Sequence, residues 1–224
     1  MSGDRPKAVV SWSSGKDAAY SLWKVREEGA YDVVGLLTTV TGTFSRVSMH
    51  GVREVLLDQQ AAAAELPVTK VTIPFPCPNE VYERAMGAAV DGLRREGVTH
   101  VIFGDLYLED VRAYRERRLE NTGITPVFPL WGRPTSALAE EMVESGLVAH
   151  VVCLDPRKLP AEFGGRRFDR AFLQDLPRGV DPCGENGEFH TFASGGPMFS
   201  RPVSVRVGDT VERDGFVFTD LTPG

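Results

Sequence analysis

The sequence predicts an α/β fold in which a parallel sheet, covered by helices on both faces, is followed by a smaller mixed α/β domain. Over residues 7–105, short apolar runs alternate with longer segments of helical spacing, and this alternation is typical of a parallel sheet. Beyond residue 132 the apolar runs are shorter, and a tight turn joins two of them, as in antiparallel strands. We therefore expect two domains, residues 1–132 and residues 133–224.

Length and composition agree with this organisation. The chain has 224 residues, of which 42% are hydrophobic and 25% charged, as is ordinary for a soluble globular protein. No apolar run approaches the roughly 18–20 residues of a membrane span, and the N-terminus lacks the apolar centre of a signal peptide. We therefore expect a cytoplasmic protein without a membrane anchor. The net charge of −6 makes nucleic acid an unexpected partner, and a homodimer is left open.

The first strand, residues 7–12, and the first helix, residues 17–28, are joined by Ser-Ser-Gly-Lys-Asp-Ala at residues 13–18. Small residues let backbone N–H groups approach an anion, and the start of the helix adds its positive dipole. Lys16 adds a full positive charge, so the joint predicts a phosphate-binding loop. The alternative is an ordinary turn in which Asp17 caps the helix.

This loop is not a Walker A motif. That motif requires glycine five residues before Gly15, where Val10 stands, and serine or threonine after the lysine, where Asp17 stands. The hydroxyl that would bind magnesium in a Walker A loop is therefore missing, and a different phosphate-binding loop is expected.

The rest of the first domain follows the same alternation. Gly104 and Asp105 end the strand at residues 99–105, and ligands of parallel sheets bind at the carboxyl ends of the strands. We therefore expect both residues to reach the same site as the loop at residues 13–18. His50 precedes a helix near the mouth of this site, where adenine contact, acceptor contact and a capping role all remain open. The other predicted elements are a strand at 33–40, a polar loop at 41–48, a helix at 51–65, a strand at 68–73 and a helix at 79–96.

A charged helix is expected to run to about residue 122. Its arginines could grip a phosphate or a macromolecule, or they could form a solvated face paired with Glu116 and Glu120. An apolar segment with two prolines, residues 123–131, then leads to the expected domain border. The arginines are Arg112, Arg115, Arg117 and Arg118.

The second domain is expected to be small and mixed. Asp214-Gly215 supplies a tight turn between its last two strands. The predicted elements are a helix at 135–145, a strand at 147–154, a charged loop at 155–167, a helix within 166–176, and strands at 203–207, 209–213 and 216–219.

Residues 181–192 form a second segment rich in side chains that can bind a ligand or transfer a proton. Glu185 and Glu188 can converge from a turn on one cation or one amine, and His190 adds a titratable neighbour. The alternative is a polar surface turn in which Gly184 and Gly187 only provide positive φ angles.

The loop at residues 13–18 resembles the Ser-Gly-Gly-Lys-Asp-Ser loop of the ATP pyrophosphatases, which cleave ATP between its α and β phosphates. It departs from that loop at Ser14, where the family has glycine, and at Ala18, which lacks a hydroxyl that helps to hold pyrophosphate. Together with residues 104–110, 126–132 and 183–192, the loop makes the chain similar to the diphthine–ammonia ligase family of this superfamily. The resemblance implies a HUP-like, Rossmann-like nucleotide-binding domain and a smaller C-terminal domain that carries the second motif.

The resemblance also implies the roles of individual residues. ATP and Mg²⁺ are the expected cofactors. Asp17 would orient the loop or help to place the metal, and Asp105 would bind the nucleotide or the metal, with a helix cap as its alternative. The expected catalytic residues are Lys16, Asp17, Glu185 and Glu188. The expected ATP-binding residues are Ser11, Ser13, Ser14, Gly15, Lys16, Asp17, Ala18, Gly104 and Asp105. The residues expected to bind the acceptor or ammonia are Glu185, Asn186, Glu188 and His190.

The activity that the resemblance implies is adenylation of a carboxylate followed by amidation with ammonia, with release of AMP and pyrophosphate. Archaeal and eukaryotic members amidate diphthine on elongation factor 2. Arginine outnumbers lysine by 20 to 5 here, which is common in chains from GC-rich bacterial genomes, and bacteria lack diphthamide. The acceptor is therefore left open.

Two other functions remain as alternatives. One is tRNA thiolation through a persulfide, for which Cys153 and Cys183 would have to meet in space. With Cys77 they make an odd number without a Cys-x-x-Cys pair, so neither a disulfide framework nor a zinc site is indicated. The other is a regulatory module that binds ATP or AMP without catalysis, of which Ala18 would be the sign.

Overall fold

The structure, a computed structural model, describes residues 5–42, the backbone of 46–47, and residues 51–224. His50 and most of the polar loop expected at 41–48 lie outside the described residues. No helix in the described part of the chain is both long and apolar enough to cross a bilayer.

The first sheet confirms the predicted parallel architecture. Five parallel strands lie in the order β4-β2-β1-β5-β6, and the short β3 pairs antiparallel with the end of β2. The central strand β1 places Val10 opposite Leu36 of β2 and Ile102 of β5. The strands are β1 (Lys7–Ser11), β2 (Asp32–Thr41), β3 (Arg46–Val47), β4 (Val68–Ile73), β5 (His100–Ile102) and β6 (Thr125–Val127).

Helices cover both faces of this sheet because successive strand residues point to opposite sides. Val10 packs into a core cluster with Leu22 of the first helix, whereas its neighbour Val9 packs into a second cluster with Leu93 of the third. The first helix ends at Gly29 in the left-handed conformation, as its sequence predicts. The helices are α1 (Lys16–Glu28), α2 (Glu54–Ala64), α3 (Asn79–Arg95) and α4 (Glu109–Leu119).

The C-terminal region forms a four-stranded antiparallel sheet in the order β8-β7-β10-β9. Asp214 and Gly215 both adopt positive φ angles, 52° and 78°, and form the predicted tight turn between β9 and β10. The elements are α5 (Thr135–Glu144), β7 (Val148–Leu154), α6 (Arg170–Asp175), β8 (Phe189–Gly195), β9 (Val205–Arg213) and β10 (Phe216–Pro223). The division into two domains at residue 132 stays a prediction.

Three strands differ from the sequence-based prediction. The strand β6 contains Pro126, which is tolerated because β6 is an edge strand that pairs only with β5. The strand β8 lies within the second motif, which had been interpreted as a turn. The strand β9 is continuous where two strands were expected, because Gly208 lies at a register shift opposite residues 219–221 and does not end the strand.

Candidate active site

The loop between β1 and α1 has the features of an anion-binding cradle. Within the described part of the chain, the backbone N–H groups of Ser13 and Ser14 donate no hydrogen bond. The N–H group of Lys16 donates to Thr191 Oγ1 of β8 at 3.0 Å, which holds the start of α1 against the C-terminal sheet. Free N–H groups at the start of a thirteen-residue helix provide a site for a phosphate.

Ser14 occupies a position in this loop that favours glycine. Its φ angle is 70°, in the left-handed region where a Cβ atom costs about 1–2 kcal/mol. The side chain is fully buried, and its Oγ atom has no hydrogen-bond partner among the described residues. The departure from the glycine of the ATP pyrophosphatase loop therefore introduces local strain.

We expect Ser14→Gly to stabilise the protein by about 0.5–1 kcal/mol, because relief of strain exceeds the entropy that glycine gains in the unfolded chain. Urea denaturation measures the change. Ser13→Gly is the matched control, since Ser13 Oγ accepts a hydrogen bond from Gly15 N at 3.3 Å, and its loss should lower stability. A loss of stability in Ser14→Gly would show that the backbone there is not strained.

Gln60 of α2 holds the loop through a hydrogen bond to the Ser14 carbonyl oxygen, a role that the sequence pattern does not predict. The side chain is fully buried, accepts a hydrogen bond from Trp12 Nε1 at 3.0 Å, and donates to the carbonyl oxygens of Ser14 at 3.0 Å and Ala193 at 2.6 Å. One amide thus connects β1, the loop and β8. The signal in the sequence was a polar residue on the apolar face of an alanine-rich helix.

Lys16 lies beneath the cradle between the two sheets. Its side chain is 2% exposed, and its ammonium group donates to both carboxylate oxygens of Asp17 at 2.9 Å and to the carbonyl oxygen of Cys183. The rings of Phe168 and Phe189 lie within 5.6 Å and 5.5 Å of Nζ. Burial alone would lower the pKa of Lys16, but neighbouring anionic groups, Asp17 first, outweigh burial and raise it, so the ammonium stays charged.

Gly104 and Asp105 lie beside the loop, as their position at a strand end led us to expect. A Cβ atom on Gly104 would be 2.9 Å from both Ala18 N and the carbonyl carbon of Asp17, so only glycine fits there. Asp105 pairs with Arg115 of α4 at 3.5 Å, between Oδ2 and Nε. Burial raises the pKa of Asp105, and Arg115 opposes the rise.

The segment before β8 brings Glu185 to the same region. Glu185 Oε1 accepts a hydrogen bond from the N–H group of Leu106, which follows Asp105, at 2.8 Å. Burial raises the pKa of Glu185 to about 7. Asp181 shapes the segment by accepting hydrogen bonds from Tyr107 Oη at 2.8 Å and from the N–H group of Cys183 at 3.0 Å. The sequence pattern does not predict this role of Asp181.

Glu188 lies deeper in the segment and is 4% exposed. Its Oε1 atom accepts hydrogen bonds from Asp181 N and from Asn186 Nδ2, each at 3.2 Å. Its Oε2 atom is buried and has no hydrogen-bond partner among the described residues. A buried carboxylate oxygen without a partner is costly, and an added donor such as an amine would satisfy it.

The raised pKa of Glu185 predicts a dependence of stability on pH. The folded state holds the proton of the Glu185 carboxyl group more tightly than the unfolded state does. Ionisation of Glu185 therefore destabilises the fold as pH rises from 4.5, the ordinary pKa of a glutamate, to about 7. We expect Glu185→Gln to unfold at about the same urea concentration as the parent near pH 4.5 and to be about 1–2 kcal/mol more stable at about pH 8. An equal difference at both pH values would contradict a buried, ionising Glu185.

A cavity of about 1100 Å³ opens between the carboxyl edge of the parallel sheet and the β9–β10 hairpin. Of the predicted site residues, Ser11, Ser13 and His190 line it. His190 was expected with the acceptor or ammonia, and the structure places its ring on the cavity side of β8. Burial, with a smaller effect of Lys16, lowers the pKa of His190 to about 4, so its imidazole is neutral at neutral pH.

The remaining predicted residues lie beneath or beside the loop. Lys16, Asp17, Glu185, Asn186 and Glu188 are not among the described residues that line the cavity. The site therefore has two parts, a cavity large enough for a nucleotide and, beside the loop at residues 13–18, a group of carboxylates near Lys16.

The available carboxylates suit a magnesium ion that a nucleotide carries with it. No group of three or more His, Cys, Asp or Glu in the described ranges is placed to hold a metal by itself. Magnesium bound to phosphates needs only one or two carboxylates from the protein. The side chains of Asp17 and Asp105 are 28% and 17% exposed, and Oδ2 of Asp105 makes no hydrogen bond among the described residues, so the pair fits such an ion.

The cysteines do not have the environment of reactive thiols. Cys153 and Cys183 are buried, and burial raises the pKa of each to about 12. The thiolate is the nucleophile in persulfide chemistry, and it is strongly disfavoured at both positions. This observation weighs against tRNA thiolation.

Comparisons with known proteins extend over both regions. A family model described as the diphthamide synthase N-terminal domain matches residues 6–126, and one described as the diphthamide synthase C-terminal domain matches residues 134–218. A diphthine–ammonia ligase of Rattus norvegicus is 26% identical over 89% of this chain and 82% of its own length. The protein of the same name from Homo sapiens is 25% identical over the same shares, and that of Danio rerio is 32% identical over 44% of this chain and 42% of its own length.

Proposed function

The chain belongs to the diphthamide synthase family, and from this membership we propose that it is an ATP-dependent ligase that adenylates a carboxylate and then amidates it with ammonia. The observation that carries the proposal is the loop at residues 13–18. Ser13, whose N–H group donates no hydrogen bond among the described residues, lines a cavity of nucleotide size, and Gly104 packs against the backbone of the loop. The relatives are named as ligases that join diphthine and ammonia.

In the first step, a carboxylate oxygen of the acceptor attacks the α phosphorus of ATP. The bond from this phosphorus to the β-phosphate oxygen breaks, and pyrophosphate leaves. The N–H groups of Ser13 and Ser14 and the dipole of α1 stabilise the negative charge that accumulates on the phosphates. The charge of Lys16 acts on the loop from below, and a magnesium ion would neutralise part of the phosphate charge. Ser11 lines the cavity, and Gly15, Ala18, Gly104 and Asp105 support the shape of the phosphate loop.

In the second step, ammonia attacks the carbonyl carbon of the acyl-adenylate, and AMP leaves. Ammonium must lose a proton before its nitrogen can attack. We assign its binding to Glu188, whose Oε2 has no donor in the described part of the chain, and the removal of its proton to Glu185, whose pKa of about 7 suits proton transfer at neutral pH. Asn186 orients Glu188 through the hydrogen bond to Oε1, and His190 contacts the bound substrate from the cavity wall.

The acceptor belongs to the class of carboxylates that need activation before they can form an amide. The relatives are named for diphthine as the acceptor. For this chain we propose a carboxylate of that kind, presented by elongation factor 2 where the source makes diphthamide.

The proposed function is tested by measuring pyrophosphate release and incorporation of labelled ammonium with a panel of carboxylate acceptors. We expect both only when ATP, ammonium and an accepted carboxylate are present together, and in equal amounts. Tight ATP binding without turnover under every condition would contradict the ligase and favour the regulatory module. Cys183→Ser should retain activity if no persulfide takes part.

A further inference from the structure

Charged side chains line the cavity on α3, on α4 and on the β9–β10 hairpin. Among the described residues that line it, the carboxylates come from α3 and from the β9–β10 hairpin, at Asp91, Asp209, Asp214 and Asp220. The arginines are Arg115 and Arg118 of α4 and Arg213 of the hairpin. The helix α4 follows β5, whose neighbour β1 leads into the phosphate loop. Arg115 and Arg118 therefore lie at the α4 end of the cavity, and Arg115 contacts Asp105, which follows Gly104 beside the phosphate loop.

Arg115 is held rigidly at this end. Its guanidinium lies 5.1 Å from the ring centre of Phe103, the residue that follows β5, and its Nε atom is 3.5 Å from Asp105 Oδ2. Its side chain is 30% exposed, so the stacked group still faces the cavity. Neither Nη atom donates a hydrogen bond to a carboxylate or a carbonyl among the described residues, and the guanidinium donates a hydrogen bond to the Tyr82 hydroxyl. The planar guanidinium is thus oriented by Phe103, Asp105 and Tyr82, and the Nη N–H groups that Tyr82 does not use can bind a ligand.

The other cations near the loop are already used. The ammonium of Lys16 is held by Asp17 and by the carbonyl of Cys183, beneath the loop and outside the cavity. Arg118 pairs with Glu83 at 3.2 Å, and Arg213 lies over Phe218 of the hairpin, 5.5 Å from its ring centre. Among the described arginines of the cavity, Arg115 and Arg213 each lie over an aromatic ring, and of these two it is Arg115 that contacts Asp105, which follows Gly104 beside the phosphate loop. A phosphate in the cavity beside Ser13 would therefore meet Arg115.

We propose that Arg115 binds a phosphate group of the nucleotide through its Nη atoms, with Phe103 and Asp105 as the residues that orient it. This assignment rests on the proposed function, because it presumes that ATP occupies the cavity. A guanidinium can make two parallel hydrogen bonds to a phosphate, and stacking reduces the conformational freedom that binding would otherwise remove.

Isothermal titration of ATP, AMP and adenosine tests this role. For Arg115→Gln we expect ATP affinity to fall by about tenfold or more and adenosine affinity to stay unchanged, because adenosine carries no phosphate. Arg115→Lys should recover part of the loss. Arg117→Gln, on an exposed position of the same helix outside the cavity, is the matched control and should bind ATP like the parent.

A second measurement uses the unaltered protein. Arginine modification by phenylglyoxal, mapped by mass spectrometry, should be slowed at Arg115 by ATP and not by adenosine. Unchanged ATP affinity in Arg115→Gln, equal losses for ATP and adenosine, or modification of Arg115 that ATP does not slow would each overturn the assignment. Failure of the parent to bind ATP would overturn the proposed function as well, so the two failures are distinguishable.

Discussion

Gly104→Ala should abolish ATP binding and destabilise the protein by about 2–3 kcal/mol, because the added methyl group cannot be accommodated. Its carbon would lie 2.9 Å from two backbone atoms of the phosphate loop, Ala18 N and the carbonyl carbon of Asp17. Backbone atoms at the start of a helix cannot rotate away as the end of a long side chain can. The loop must therefore shift as a unit, and the free N–H groups of Ser13 and Ser14 would shift with it.

Urea denaturation and isothermal titration with ATP measure these two effects. Gly92→Ala is the matched control, since a methyl group there meets nothing within 4 Å and Gly92 lies inside α3. Alanine is the better helix former, so this variant should gain about 0.5–1 kcal/mol and bind ATP normally. Normal ATP binding by Gly104→Ala would contradict the close packing of the loop against this strand end.

Lys16→Met should destabilise the protein by about 3 kcal/mol and abolish AMP formation. The side chain is 2% exposed, and its removal leaves the carboxylate of Asp17 and the carbonyl of Cys183 without their buried donor. Methionine keeps most of the side-chain volume between Phe168 and Phe189, so the variant creates little empty space. The loss of stability therefore measures mainly the removal of the charge and its hydrogen bonds. The same charge supports the phosphate loop from below, and its removal lowers the affinity of the loop for anions.

A double-mutant cycle separates stability from activity. Adding Asp17→Asn to Lys16→Met removes the unpaired carboxylate and should restore part of the stability without restoring AMP formation. Lys24→Met breaks an exposed pair with Glu27 and should change stability by less than about 0.5 kcal/mol. Full activity in Lys16→Met would show that the ammonium has no part in catalysis.

The parallel sheet could be predicted from the sequence because buried strands and amphipathic helices differ in their periodicity. The order of strands and helices also predicted that Gly104 lies near the loop at residues 13–18, because both follow the carboxyl ends of parallel strands, β5 and β1, which are neighbours. The turn at Asp214-Gly215 was predictable because few residues adopt the two positive φ angles that it requires. The strands, the helices and the turn are local patterns, and the approach of Gly104 to the loop follows from the general geometry of parallel sheets.

The features that could not be predicted from the sequence depend on contacts between distant segments of the chain. Gln60 is 46 residues from Ser14 and 133 from Ala193, and no spacing rule relates an amide in a helix to those carbonyl oxygens. The strand β8 lies within a glycine-rich segment, and only its pairing with β7 makes it extended. The motifs also could not reveal that Lys16 lies beneath the loop, because a lysine in a phosphate-binding motif is expected to face the ligand.

The identity of the products formed from ATP labelled at its α phosphate tests the proposed chemistry most directly. With ammonium and an accepted carboxylate present, we expect the label to appear in AMP, with one pyrophosphate released for each amide formed. Label in ADP, with release of inorganic phosphate, would contradict attack at the α phosphorus and with it the assignment of the loop at residues 13–18 to an AMP-forming ligase.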